Sequence, residues 1–171
     1  MSDNYRRLKY GTIELRIDVV SNSISIPGTN EATDFLTSFQ CWKKKGFHAG
    51  CYKWVEKYVK ELYPYLDENI PVRITGHSLG GAIAQVLAVK LTEKGYFVEL
   101  DIDGAFPAVP KKRDYILNGK VDIYGNDPVP TLFPWFGYPV KRNYYGPDRK
   151  CWKIPWQWVN LSVSDHMEYW K

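Results

Sequence analysis

Residues 72–89, VRITGHSLGGAIAQVLAV, join a strand-like run to a helix-like run through a serine set between two glycines. A chain that passes from strand to helix through Gly76-His77-Ser78-Leu79-Gly80 must turn sharply, with the serine at the tip. Two arrangements fit. In one, the serine only caps the helix. In the other, it is a nucleophile on a strained backbone, and its neighbours two residues away are small because larger ones would strike the adjoining strand and helix. Gly81 and Ala84 extend that small surface and let the helix pack closely. The helix N-terminus directs partial positive charge at the serine, where an alkoxide or tetrahedral oxyanion would develop. This context favours the nucleophile, which then requires a base, an acid and an oxyanion site elsewhere in the chain.

The remaining pattern predicts strands at residues 11–18, 21–26, 71–75, 97–102 and 120–124, with helices at 50–63 and 80–94. In the first helix Tyr52, Val55, Tyr58, Val59 and Leu62 share one face, and Pro64 stops it. Gly95 ends the second. Strands alternating with helices predict an α/β fold, with a mostly parallel central sheet and helices on both faces. No repeat, low-complexity tract or linker divides the 171 residues, so residues 1–171 read as a single domain. After Pro128 the chain turns aromatic and proline-rich, with residues 151–154 a candidate last strand. Residues 133–145, FPWFGYPVKRNYY, either line an acyl pocket, lean on an interface or simply pack a small core.

Composition narrows the partners. The net charge is +4, and the basic clusters (residues 43–45, 111–113 and 149–150) are too short for a nucleic-acid arm. They read as solvated surface, or at most as weak attraction to an anionic interface. No apolar run approaches the ~20 residues of a membrane span. The opening MSDNYRRLKYG lacks a signal peptide's apolar core, so cytoplasmic synthesis without stable membrane insertion is expected. Three cysteines make no disulfide framework. Free buried thiols are the plainer expectation, with a Cys41–Cys51 bridge left open.

Three histidines allow the base to be sought by elimination. His77 adjoins Ser78, and side chains of neighbours at a turn diverge, so it reads as support beside the elbow. His48 precedes the serine, at the entry to a helix, and reads as a cap or buried structural group. His166 follows the serine, as the Ser, acid, His order of α/β-hydrolases requires. The acid should orient the imidazole from a loop after a later strand. Asp127 lies beyond the strand 120–124, and Asp103 follows the preceding one. Asp165 is too close in sequence to His166, and Asp122 lies inside a strand. Asp127 is preferred over Asp103, although Asp127-Pro128 also suits an ordinary turn. One oxyanion N–H should come from Leu79, and a second from a loop after an earlier strand. Pro27-Gly28-Thr29 is such a loop, where Thr29 is equally readable as a donor or as a plain turn residue.

Five blocks in order, PGTNEATDF, FHAGCYKWV, GHSLGGAIA, NDPVP and DHMEYW, together resemble the class 3 (fungal-type) lipases. The resemblance implies a compact, minimal α/β-hydrolase with Ser78 as nucleophile, Asp127 as acid, His166 as base, and Thr29 with Leu79 as oxyanion donors. It implies an ester or lipid substrate, met in solution or at a lipid–water interface, and implies no metal or cofactor. It supports a structural role for His48 and a helix-capping role for Asp34. There are departures: Pro27 stands where the family usually has Arg, so the support of that loop must differ. The segment holding the family's lid is brief, residues 30–42, with Phe35, Leu36, Phe39 and Trp42 left to form a small apolar flap. A minimal lid points to a smaller or more soluble ester. The same triad serves phospholipid cleavage and acyl transfer. A binding protein for membrane or glycan on a hydrolase scaffold is the rival from another class. Nothing in the sequence fixes the oligomeric state.

Overall fold

Strict alternation builds the sheet. In β2 (Ile13–Asp18), Ile13, Leu15 and Ile17 turn inward while Glu14, Arg16 and Asp18 turn out. The pattern recurs in β3 (Ser23–Ile26), β6 (Val72–His77) and β7 (Val98–Asp103). The other described strands and α-helices are β1 (Tyr5–Tyr10), β4 (Lys43–Lys44), β5 (Phe47–His48), α1 (Ala49–Leu62), α2 (Ser78–Glu93), β8 (Val109–Pro110), β9 (Asn118–Tyr124), β10 (Phe136–Gly137) and β11 (Lys141–Tyr145). The computed structural model describes residues 4–11, 13–28, 43–111, 117–124, 127, 129–131 and 133–145. Thr29, Asp34, Cys41, Asp165, His166, the flap 30–42 and the candidate strand 151–154 lie outside the described residues.

Among the described residues, seven strands form one sheet in the order β1-β2-β3-β6-β7-β9-β11. From β3 to β11 every neighbour is parallel, and β1 and β2 add an antiparallel edge. The mostly parallel sheet expected from the alternation of strands and helices is therefore present. Two small pairs, β4–β5 and β8–β10, stand apart from it. Ile24, Ile74, Leu100, Ile102 and Val121 lie in one buried cluster with the inner faces of α1 and α2. Each such side chain contributes roughly 1.5–3 kcal/mol by leaving water.

Both described helices pack against each other and lie on this apolar face. The opposite face carries Arg16, Arg73, Thr75 and Asp101, all exposed, and an Arg73–Glu99 ion pair at 3.1 Å. Parallel strands covered on both sides normally read as continuous apolar runs. Alternation here reflects a sheet whose second face is polar along these strands.

The helix ends follow from local chemistry. His48 caps α1, its Nδ1 accepting the Cys51 N–H at 3.5 Å. At the end of α2 the Tyr96 N–H reaches the Leu91 carbonyl at 3.1 Å, and the Gly95 N–H reaches Thr92 at 3.0 Å. Gly95 sits at φ +101°, the left-handed residue such a paired cap needs. Helix α2 is buried almost all round, from Leu79 to Val89. An apolar helix of this kind belongs in a core rather than on a surface.

Strands β1 and β11 are the two elements of the large sheet that the hydrophobic pattern does not predict. Among the described strands both lie at its outer sides, and YRRLKY and KRNYY carry polar or charged residues at most positions. An edge strand needs little apolar surface and is blunted by charge, so its alternation is weak. Tyr10 fastens β1 to α1: it stacks on Tyr58 at 3.9 Å, and its hydroxyl donates to Glu61 at 2.5 Å.

Candidate active site

Ser78 is the first residue of α2 and sits at φ +54°. A non-glycine residue in the left-handed region costs about 1–3 kcal/mol unless the surroundings hold it there. The surroundings do so by close approach of backbone. A Cβ on Gly80 would collide with the Ile26 carbonyl and lie 2.6 Å from that of Pro27. A Cβ on Gly76 would lie 2.9 Å from the Gly80 carbonyl oxygen and from the Gly81 backbone. The glycines flanking the serine are thus required by space, as the sequence predicts.

The turn after β3 comes right up to the serine. A Cβ on Gly28 would sit 3.2 Å from the Ser78 Cβ and 3.1 Å from the His77 ring carbon Cδ2. This is the loop expected to carry the second oxyanion donor. Gly28 is its last described residue, and Thr29 lies just beyond. Leu79 is buried within the first turn of α2, whose N–H groups have no carbonyl four residues earlier to bond.

Asp127 and Ser78 lie at the same end of the parallel sheet. Ser78 follows β6, Asp127 follows β9, and β7 runs between them. Strands are about 4.8 Å apart, so the two strand ends are separated by roughly 9–10 Å. One imidazole with a hydrogen bond of roughly 3 Å on each side spans such a gap. Asp127 is 3% exposed. Its Oδ1 accepts the Val129 N–H at 2.9 Å, and its own N–H bonds the Tyr124 carbonyl at 3.0 Å. The neighbouring loops are tied together by Tyr138, whose hydroxyl lies 2.7 Å from the Ala105 carbonyl and 3.2 Å from that of Pro130. Burial pushes the Tyr138 phenol well above its usual range, so it remains a donor.

Asp103, the other candidate acid, is engaged elsewhere. Its Oδ1 lies 2.7 Å from Nδ1 of His77. The two residues end adjacent strands in register, β7 and β6. His77 is therefore the hydrogen-bonded support that the sequence suggests, with a partner that only the strand register reveals.

His48 is fully buried among Phe106, Phe133 and Phe136, with ring centroids 5.0–5.6 Å away. Burial lowers its pKa to about 4. It is a neutral cap, in keeping with the structural role read from the sequence. Phe133 and Phe136 thus spend the start of the aromatic segment on packing, while Tyr144 and Tyr145 stand exposed on β11. Cys51 is a free thiol, fully buried, and burial pushes its pKa up, away from thiolate chemistry.

Gln85 is a part of this region that the motif search does not find. It is buried in α2, donates to the Phe106 carbonyl at 2.8 Å, and accepts the Ala108 N–H at 3.1 Å. A lone amide inside GGAIAQVLAV was the available signal, since a buried amide needs partners. It clamps the segment after β7 against the elbow helix. Among the described residues no group of three or more His, Cys, Asp or Glu is arranged to hold a metal ion, and no helix is long and apolar enough to cross a membrane.

A strained serine between a parallel strand and a buried helix, with a buried aspartate at the same end of the sheet, defines the α/β-hydrolase type of protein. The model of the family described as Lipase (class 3) matches residues 20–136. The chain belongs to the class 3 lipases, a family of carboxylic-ester hydrolases. The Lip2 lipase of Yarrowia lipolytica superposes with a TM-score of 0.61 at 15% identity, over 98% of this chain and 80% of that one. The mono- and diacylglycerol lipase of Aspergillus oryzae gives 0.57 at 21% identity, over 74% and 56%. A triacylglycerol lipase of Penicillium expansum gives 0.52 at 16%, over 84% and 70%. At such identities the likeness is one of fold. The chain spans little more than half of the Aspergillus enzyme. No curated protein sequence matches it significantly.

Proposed function

We propose that the chain hydrolyses carboxylic esters through an acyl-enzyme formed on Ser78, with Asp127 and His166 completing a triad. The observation that carries this reading is the φ of +54° at Ser78, at the junction of β6 and α2. A serine needed only as a cap takes an extended conformation and has no reason to hold that strain.

Ser78 Oγ attacks the ester carbonyl while His166 takes its proton and then delivers it to the leaving alcohol. Asp127 keeps the imidazole in the working tautomer and stabilises its cation. The Leu79 N–H and the Thr29 donor hold the oxyanion, a contribution worth about 10²–10³ in kcat per donor. Water activated by His166 then releases the acid. The Asp103–His77 contact supports the choice of Asp127, because it commits the competing carboxylate. The brief segment 30–42 supports a substrate that reaches the serine without a large lid, a smaller or more soluble ester. The acylglycerol substrates in the names of the neighbours belong to the same chemical class.

A panel of p-nitrophenyl esters from acetate to palmitate, with tributyrin below and above its solubility, tests the reading. We expect turnover of the shorter esters in free solution, no sharp rise at the emulsion threshold, and loss of turnover in Ser78→Ala. A steep rise only on emulsion would contradict the substrate class. No turnover of any ester by folded enzyme would contradict the reaction.

A further inference from the structure

We infer that Asp103 and His77 are positioning residues, a pair that braces the oxyanion loop against the nucleophile. The inference rests on the reading of Ser78 as nucleophile and of the loop beyond Gly28 as an oxyanion donor. It concerns two residues that the triad does not use.

The geometry is a three-part stack. Asp103 ends β7 and accepts from the Nδ1–H of His77 at 2.7 Å. A carboxylate only accepts, so the hydrogen lies on that nitrogen and the ring is held in one orientation. The opposite edge of the ring faces Gly28, where a Cβ would come within 3.1 Å of Cδ2 and 3.2 Å of the His77 carbonyl. The ring is nearly enclosed, with 7% of the side chain exposed, while Asp103 is 39% exposed. Asp103 therefore fixes the ring from the solvent side, and the ring's far edge limits the space at Gly28.

Gly28 also lies close to Ser78: a Cβ in place of the glycine hydrogen would come within 3.2 Å of the serine Cβ, so no side chain fits between them. The nucleophile, the turn ending at Gly28 and the histidine are thus packed too closely to admit a side chain on Gly28. His77 is bonded in sequence to Ser78 and packed in space on Gly28, so it sets the distance between the two halves of the oxyanion site. A displacement of about 1 Å in such a site lowers rate by about 100-fold. The effect falls on the transition state and leaves ground-state binding largely alone.

The test uses Asp103→Ala, Asp103→Asn and wild type, with kcat, KM, thermal midpoint and affinity for an alkylboronic acid. The boronate becomes tetrahedral on Ser78 and presents an oxygen to the oxyanion site. For Asp103→Ala we expect kcat to fall about 10- to 100-fold with KM within about two-fold, and boronate affinity to fall in step. Asp103→Asn keeps an accepting oxygen and should recover most of the loss. All three proteins should be folded at the assay temperature, read from the melting curve. The inference is overturned if Asp103→Ala keeps wild-type kcat, or if KM alone moves while boronate affinity holds. It is also overturned if Asp103→Asn is as impaired as Asp103→Ala. An inactive wild type would instead defeat the proposed function on which the inference rests.

Discussion

Asp127 accepts a hydrogen bond from the backbone N–H of Val129 at 2.9 Å, which orients its carboxyl within the loop beyond β9. An asparagine can repeat that bond through its own Oδ1, so Asp127→Asn preserves the loop while removing the charge. We expect kcat to fall by about 10³–10⁴ with little change in melting temperature, the scale known for loss of a triad acid. Steady-state kinetics beside Asp103→Asn check the assignment. A larger loss from Asp103→Asn would transfer the acid role to Asp103.

The strain at Ser78 makes a prediction about stability. Ser78→Ala keeps a Cβ at φ +54°, whereas Ser78→Gly relieves it. Both should be inactive, yet the glycine variant should be more stable than the alanine variant by about 1 kcal/mol. Urea unfolding of the pair reads the difference. Equal stability, or a more stable alanine, would remove the elbow strain from the account.

His48 ties stability to pH. Its folded pKa is lowered to about 4 from 6.5 by burial. Between those values the unfolded chain binds a proton that the folded chain refuses, so stability falls as pH drops through 6.5 toward 4. The full effect is roughly 3 kcal/mol, and it levels off below pH 4. His48→Asn retains a side-chain acceptor for the Cys51 N–H and loses this titration. Denaturant midpoints taken across pH 7 to 4 should decline less steeply in the variant. Parallel curves would contradict a buried neutral imidazole.

The elbow and the core strands were legible because their chemistry is local. The glycines of GHSLGG record collisions with Ile26, Pro27 and Ala105, and the alternation of β2, β6 and β7 records one buried face. The class of fold followed from these, and the family from the order of the five motif blocks. The charged β1 and β11 leave no such signal, because edge strands bury too little to impose a period. The brace between Asp103 and His77 depends on strand register, which no single segment encodes. Tyr138 and Gln85 act through backbone carbonyls of distant segments, contacts that depend on the finished fold rather than on any motif. The roles proposed for Thr29 and His166 rest on their order in the chain and on the family resemblance.

The central claim is that Ser78 is an activated nucleophile. Incubation with a fluorophosphonate, followed by peptide mapping, tests it most directly. We expect one covalent adduct on the peptide carrying Ser78, formed by native protein and not by urea-unfolded protein, and absent in Ser78→Ala. Folded wild-type protein that takes no label, or that is labelled equally well after Ser78→Ala, would contradict it.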